Sequence, residues 1–146
     1  MKVSLITACY NSVATLPTAI ESVLSQRDIE LENIVVDGDS KDGTVELLKD
    51  YEQRFEGRLR WISEPDQGMY DAINKGIAMA TGDVVGILNA DDVLADEETL
   101  KRIAEAFEPR NTQNTRNGAF QDLGLHLQAP LAAAYLQLQL ASPTKP

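Results

Sequence analysis

Two adjacent carboxylates, Asp91 and Asp92, end the stretch Gly82-Asp83-Val84-Val85-Gly86-Ile87-Leu88-Asn89-Ala90-Asp91-Asp92. On one tight turn they repel each other unless something positive lies between them. A hard divalent cation, Mg²⁺ or Mn²⁺, fills that role and also takes the oxygens of a diphosphate as ligands. The run Val84 to Leu88 has strand length and strand residues, with Gly82 before it. The acids therefore stand where a buried strand leaves its sheet. In an open α/β sheet, ligands bind outside the carboxyl ends of the strands. A plainer reading stands beside this one. Asp92 and Asp96 serve as turn and cap residues for a following helix, with Asp96, Glu97 and Glu98 where a helix N-terminus favours negative charge.

The elements that position these acids follow from periodicity. Val3 to Ala8 reads as a buried strand. Leu16, Ala19, Ile20, Val23 and Leu24 mark one apolar helix face, with Thr15 as N-cap and Pro17 in the first turn. Ile34 to Val36 is a second strand, ending in a loop dense in turn formers, Asp37 to Gly43. Thr44 or Asp42 caps a helix bearing Leu47, Leu48, Tyr51 and Phe55. Leu59 to Ile62 is a less apolar strand, expected at a sheet edge. Met69, Ala72, Ile73, Gly76, Ile77 and Ala80 repeat at helical spacing, and the small residues let that helix lie close to the sheet. Leu100, Ile103, Ala104 and Phe107 make a last amphipathic helix.

Strand and helix alternate four times with short loops. That order predicts an α/β fold, a mostly parallel sheet with helices on both faces. The carboxyl ends of its strands carry Thr7, Tyr10 and Asn11, then Asp37 and Asp39, then Glu64 and Asp66, then Asp91 and Asp92. In a parallel sheet these ends share one edge, so scattered polar residues converge on one site.

Composition bounds the partners. The chain has 146 residues and a net charge of −10, which argues against nucleic acid and anionic membranes as main partners. The single cysteine, Cys9, excludes an intramolecular disulfide and points to a reducing compartment. No stretch approaches the roughly 20 apolar residues of a membrane span. The expected location is cytoplasmic, with any membrane contact peripheral. Charge divides the chain at Pro109: residues 1–109 carry a net of −12 and residues 110–146 a net of +2. The expected organisation is therefore an α/β domain over 1–109 and an atypical low-acid tail over 110–146. The tail reads as turn-like or disordered from Asn111 to Gly118, then as a helix or alternating strand from Leu131 to Leu140. Its shift of composition is what a truncated or frame-shifted reading of a longer gene would leave.

Four blocks resemble the N-terminal half of family 2 glycosyltransferases, an inverting group with a Rossmann-like GT-A fold. They are Val-Ser-Leu-Ile-Thr-Ala-Cys-Tyr-Asn at 3–11, Val-Val-Asp-Gly-Asp-Ser-Lys-Asp-Gly-Thr at 35–44, Asp-Gln-Gly-Met-Tyr-Asp-Ala-Ile-Asn-Lys-Gly at 66–76 with Thr-Gly-Asp at 81–83, and Leu-Asn-Ala-Asp-Asp at 88–92. The resemblance covers residues 3 to about 107, so the fold is expected to be incomplete at the C-terminus. It implies transfer of a sugar, with inversion, from a nucleotide-diphospho-sugar to a saccharide or lipid-linked acceptor. It also implies residue roles. Thr7, Cys9 and Tyr10 would line the base, Tyr10 by stacking and Cys9 through its backbone, with Asn11 beside them. Asp37 or Asp39 would accept a hydrogen bond from the base's ring N–H, favouring uracil or thymine. Asp91 would reach the ribose or the metal, and Asp92 the metal. Asn74 and Lys75 would sit near the donor, although Lys75 equally suits a surface pair with Asp71 four residues away.

Two positions depart from the family pattern. Asn89 stands where an acid is common, and Ile73 where Arg is common. An inverting transfer also needs a general base, which the family carries beyond the metal motif. Residues 110–146 offer only Asp122 and His126 as candidates, in no recognisable motif, so the catalytic base is unassigned. Four other readings compete. A phosphoryl-receiver module would want its acid pair after the first strand, where Cys9-Tyr10-Asn11 stands. A dinucleotide enzyme would want G-x-G-x-x-G there. A donor-binding fragment without catalysis, or a non-enzymatic partner protein using the tail's apolar face, is compatible with the sequence.

Overall fold

The computed structural model describes residues 1–108 and the pair Leu136–Gln137. The elements run β1 (Lys2–Cys9), α1 (Leu16–Leu24), β2 (Glu30–Asp37), α2 (Thr44–Arg54), β3 (Leu59–Ser63), α3 (Met69–Met79), β4 (Val84–Ile87), α4 (Thr99–Phe107) and β5 (Leu136–Gln137). The sheet order is β3-β2-β1-β4-β5 and every described pairing is parallel. β3 lies at an edge, as its weaker apolar character predicts. β5 falls inside the Leu131–Leu140 stretch; the rest of that stretch, with Asp122, His126 and Asn111 to Gly118, lies outside the described residues.

Alternation along the strands sends side chains to two cores. Val3, Leu5, Leu31 and Val35 pack with Leu16, Ile20 and Val23 of α1, Leu48 of α2 and Leu100 and Ala104 of α4. Ile6, Ile34 and Val36 pack on the opposite face with Ala72 of α3. The helices thus cover both faces. Gly76 sets how closely α3 approaches. A Cβ at that position would stand 2.5 Å from Cγ2 of Ile6, and Ile6 is fully buried in a packed layer.

Helix starts depart from the simple capping scheme. Thr15 occupies the N-cap of α1 without a side-chain cap bond, and Pro17 sits in the first turn. The N-cap of α2 is Gly43, and Asp42 just before it accepts the Thr44 N–H at 3.1 Å. Asp96 accepts the Glu98 N–H at 2.9 Å and pairs with Arg102 at 2.6 Å ahead of α4. The N-cap position of α4 is Glu98, without a side-chain cap bond; Asp96 fixes the turn ahead of it, and Asp92 lies well before that helix.

β2 starts at Glu30, four residues before the apolar run that marks it in the sequence. The extension is possible because the buried Glu32 is satisfied. Its carboxylate accepts from Ser4 Oγ at 2.6 Å, from the Thr81 N–H at 2.7 Å and from Thr81 Oγ1 at 2.9 Å. Lys2 and Arg60 approach it at 3.5 and 3.4 Å. This network ties β1, β2 and β3 to the α3–β4 turn at the amino edge of the sheet. No helix among the described residues is long and apolar enough to cross a membrane.

Burial opposes the charge on Glu32, but the hydrogen bonds from Ser4 and Thr81 and the charge of Lys2 outweigh it, lowering its pKa from 4.5 to about 2. A carboxyl depressed in the folded state stabilises above its unfolded pKa, and that stability disappears as pH falls through the folded value. Glu32→Gln is expected to cost about 2–3 kcal/mol at neutral pH and to flatten the pH dependence of Tm between about pH 5 and pH 2. Gly76→Ala is expected to cost about 1–3 kcal/mol from overpacking against Ile6, read as a lower urea midpoint with unchanged slope.

Candidate functional site

The site is built from the carboxyl ends of β1, β2, β3 and β4. In the sheet register Cys9 faces Asp37, and Asp37 faces Ser63. Asp37 is fully buried. One of its oxygens accepts the Ser40 N–H at 2.9 Å and Ser63 Oγ at 2.7 Å. The other accepts from Ser40 Oγ and from Cys9 Sγ, the latter at 3.5 Å. Burial first, and the adjacent Asp37 charge second, push the Cys9 thiol well above its ordinary pKa. A thiol held in its neutral form is a poor nucleophile.

A second set of bonds fixes the loops above this row. The Asn11 N–H donates to Ser40 Oγ at 2.7 Å, and Asn11 Oδ1 accepts the Lys41 N–H at 3.0 Å. The Ser12 N–H donates to Thr44 Oγ1 at 3.0 Å and the Val13 N–H to Asp42 Oδ2 at 3.1 Å. The loop after β1 is thereby stapled to the loop after β2. The turn-residue reading of Asp42 is what the geometry shows.

These loops enclose a cleft of about 720 Å³, with Tyr10, Asp66, Met69, Asn89 and Asp91 among its walls. A smaller hollow of about 390 Å³ adjoins it, lined by Tyr10, Gly38, Asp39, Lys41, Pro65 and Asp66. Tyr10 is 64% exposed, an aromatic surface shared by both spaces. Asp39 is paired with Lys41 at 2.7 Å.

The expected site residues are distributed unevenly around this cleft. Cys9, Tyr10 and Asp91 line the cleft, and Asp39 lines the hollow. Thr7 is 2% exposed, beneath the site. Asp37 is consumed by its own hydrogen bonds, so it positions the loops and is closed to a ligand. Asn11 acts as the staple described above. Asn74, exposed on α3, lines neither space. Lys75 pairs with Glu64 at 3.0 Å and Asp71 at 3.5 Å and donates to the Pro65 carbonyl at 3.2 Å. Its surface-pair reading is realised, and it braces the β3–α3 loop. Asp66, which the sequence places on the converging edge without a role of its own, lines both spaces. The Asp-Gln-Gly turn at 66–68, within a block already singled out, was the signal for it.

Asp91 has no ion-pair or hydrogen-bond partner among the described residues, whereas Asp92 Oδ2 accepts from Asn89 Nδ2 at 2.9 Å. No cluster of three His, Cys, Asp or Glu side chains that could hold a metal occurs among the described residues. Asp91 lines the cleft and Asp92, next to it in the chain, does not; a pair of adjacent carboxylates still suits a cation such as Mg²⁺, which takes one or two carboxylates and completes its shell with water and substrate phosphate.

Comparisons with known proteins agree with this architecture. The profile described as glycosyl transferase family 2 matches residues 4–122, running past Pro109. An uncharacterised glycosyltransferase of Nostoc sp. is 37% identical over 108 residues, which is 74% of this chain and 33% of that protein. A PGL/p-HBAD biosynthesis glycosyltransferase of Mycobacterium tuberculosis is 37% identical over 101 residues, 69% of this chain and 40% of that protein. Among solved structures, TarS 1-349 of S. aureus in complex with UDP-GlcNAc aligns with a TM-score of 0.66 and 28% identity, covering 73% of this chain and 31% of TarS 1-349. The mannosyltransferase PcManGT of Pyrobaculum calidifontis, in complex with GDP-Man and Mn²⁺, aligns with a TM-score of 0.66 and 26% identity, covering 70% and 31%. The chain thus spans between a third and two fifths of the curated relatives it matches. With its parallel sheet, its cleft at the carboxyl edge and a family match over most of its length, the chain belongs to glycosyl transferase family 2.

Proposed function

We propose that this chain is the donor-binding part of an inverting glycosyltransferase that takes its sugar from a nucleotide-diphospho-sugar. One observation carries the reading: the cleft at the carboxyl edge brings an exposed aromatic ring, Tyr10, and a carboxylate without a partner among the described residues, Asp91, into one space. Tyr10 offers a stacking face to the base. Asp91 and Asp92, with Asn89 as a neutral oxygen donor, would hold Mg²⁺ or Mn²⁺ against the diphosphate. When bound, the cation neutralises charge on the departing diphosphate. Support comes from the neighbours, of which TarS is described with UDP-GlcNAc and PcManGT with GDP-Man and Mn²⁺.

The remainder of the reaction needs an acceptor, saccharide or lipid-linked, and a general base that takes the proton of its attacking hydroxyl. The base is assigned to no residue of this chain. The competing reading, a donor-binding fragment without turnover, has the same cleft and differs only in that base.

A thermal melt of the 146-residue chain with UDP, GDP, dTDP and CDP, each with and without Mn²⁺, tests the donor site. A ligand that binds only the folded state raises Tm, so a cooperative transition raised by a nucleoside diphosphate in the presence of Mn²⁺ is expected. Cooperative melting with no shift from any of the four would reject the proposal. Asp92→Ala and Asp91→Ala are each expected to weaken the Mn²⁺-dependent part of binding about tenfold or more, the scale of losing a charged ligand. Mutants that bind as tightly as the native chain would show that the metal is held elsewhere.

A further inference from the structure

We infer that Asp66 is the residue that reads the nucleotide base, selecting a base whose ring N–H is flanked by a carbonyl (uracil, thymine or guanine) over cytosine or adenine. The inference rests on the donor-binding reading and sharpens it. Three carboxylates end near the hollow beside Tyr10, and they differ in what they hold and where they stand. Asp37 is buried with both oxygens bonded. Asp39 lines the hollow but not the cleft, and one of its oxygens, Oδ1, pairs with the exposed Lys41 at 2.7 Å.

Asp66 differs from both in its placement. It lines both the cleft and the adjoining hollow. Its Oδ1 accepts the Gly68 N–H at 3.0 Å, which locks the turn, while its Oδ2 has no hydrogen-bond partner among the described residues. That free oxygen lies over the backbone of Gly38. A Cβ on residue 38 would stand 2.8 Å from Asp66 Oδ2 and 3.4 Å from Cδ2 of Tyr10. The missing side chain at Gly38 thus makes room for an acceptor from the neighbouring strand end, beside the edge of the stacking ring. A base stacked on Tyr10 would present its hydrogen-bonding edge to that oxygen. A carboxylate accepts from the N–H of uracil, thymine or guanine, but meets a bare ring nitrogen, itself an acceptor, in cytosine and adenine.

Isothermal titration of the 146-residue chain with UDP, dTDP, GDP, CDP and ADP, all with Mn²⁺, tests this. At least one of UDP, dTDP and GDP is expected to bind about tenfold or more tightly than CDP and ADP, the scale of one hydrogen bond to a charged group. Asp66→Asn keeps an amide oxygen for the Gly68 N–H and offers an N–H₂ donor, so the gap to CDP is expected to close. Gly38→Ala is expected to narrow the same gap by displacing the Asp66 carboxylate. Melting curves establish that both variants fold. If no nucleotide binds the native chain, the donor reading itself fails. If nucleotides bind but CDP or ADP equals the best of the others, base reading by Asp66 is overturned. A preference that survives Asp66→Asn and vanishes in Asp39→Asn also overturns it, in favour of Asp39.

Discussion

The geometry of the cleft depends on one buried carboxylate. Asp37 sits at the end of β2 in register with the ends of β1 and β3, and its two oxygens collect donors from Cys9, Ser40 and Ser63. A charge with no access to water is tolerated only when it is well hydrogen-bonded. That requirement holds three strand ends and the turn after β2 in one arrangement. Ser40, held by Asp37, then receives the N–H of Asn11, and the loop bearing Tyr10 is fixed in turn. Tyr10 is exposed while the residues that follow it, Asn11 and Ser12, are stapled to β2's loop and the start of α2.

The opposite edge of the sheet holds a second buried carboxylate with a different task. Glu32 joins β1, β2 and the turn before β4, far from the cleft in the sense of strand direction. Its network is structural: the buried Glu32 carboxylate is taken up by Ser4 of β1 and by Thr81 of the turn before β4. Two buried acids at opposite ends of one strand thus divide the work. Glu32 secures the sheet, and Asp37 shapes the site. Both are aspects of the same rule, that a polar group inside a protein must find its partners there.

Sites at the carboxyl edge of a parallel sheet can be assembled from short loops because each strand delivers its loop to the same side. The family match and the structural neighbours place this chain among glycosyltransferases, and the chain contains the part that forms this edge.

Much of this was legible in the residues themselves. Hydrophobic periodicity located four strands and four helices because burying an apolar face is a local property of the sequence. The strand–helix order implied a parallel sheet, and with it the convergence of Tyr10, Asp39 and Asp91 on one edge. Other features were not legible. Nothing in the sequence distinguishes Asp37 from Asp39, two residues away; burial and the register of β3 do. Glu32 looked like a polar residue outside a strand, until Ser4 and Thr81, 28 and 49 positions distant, supplied its hydrogen bonds. Asp66 entered the cleft only because Gly38, on a neighbouring strand end, leaves space for its carboxylate. The sequence by itself determined the elements, their order and the edge at which chemistry is possible, since those follow from local patterns. Which carboxylate faces a ligand and which one holds the framework was decided by tertiary structure alone, because a hydrogen-bond partner remote in the chain is invisible until the fold brings it near.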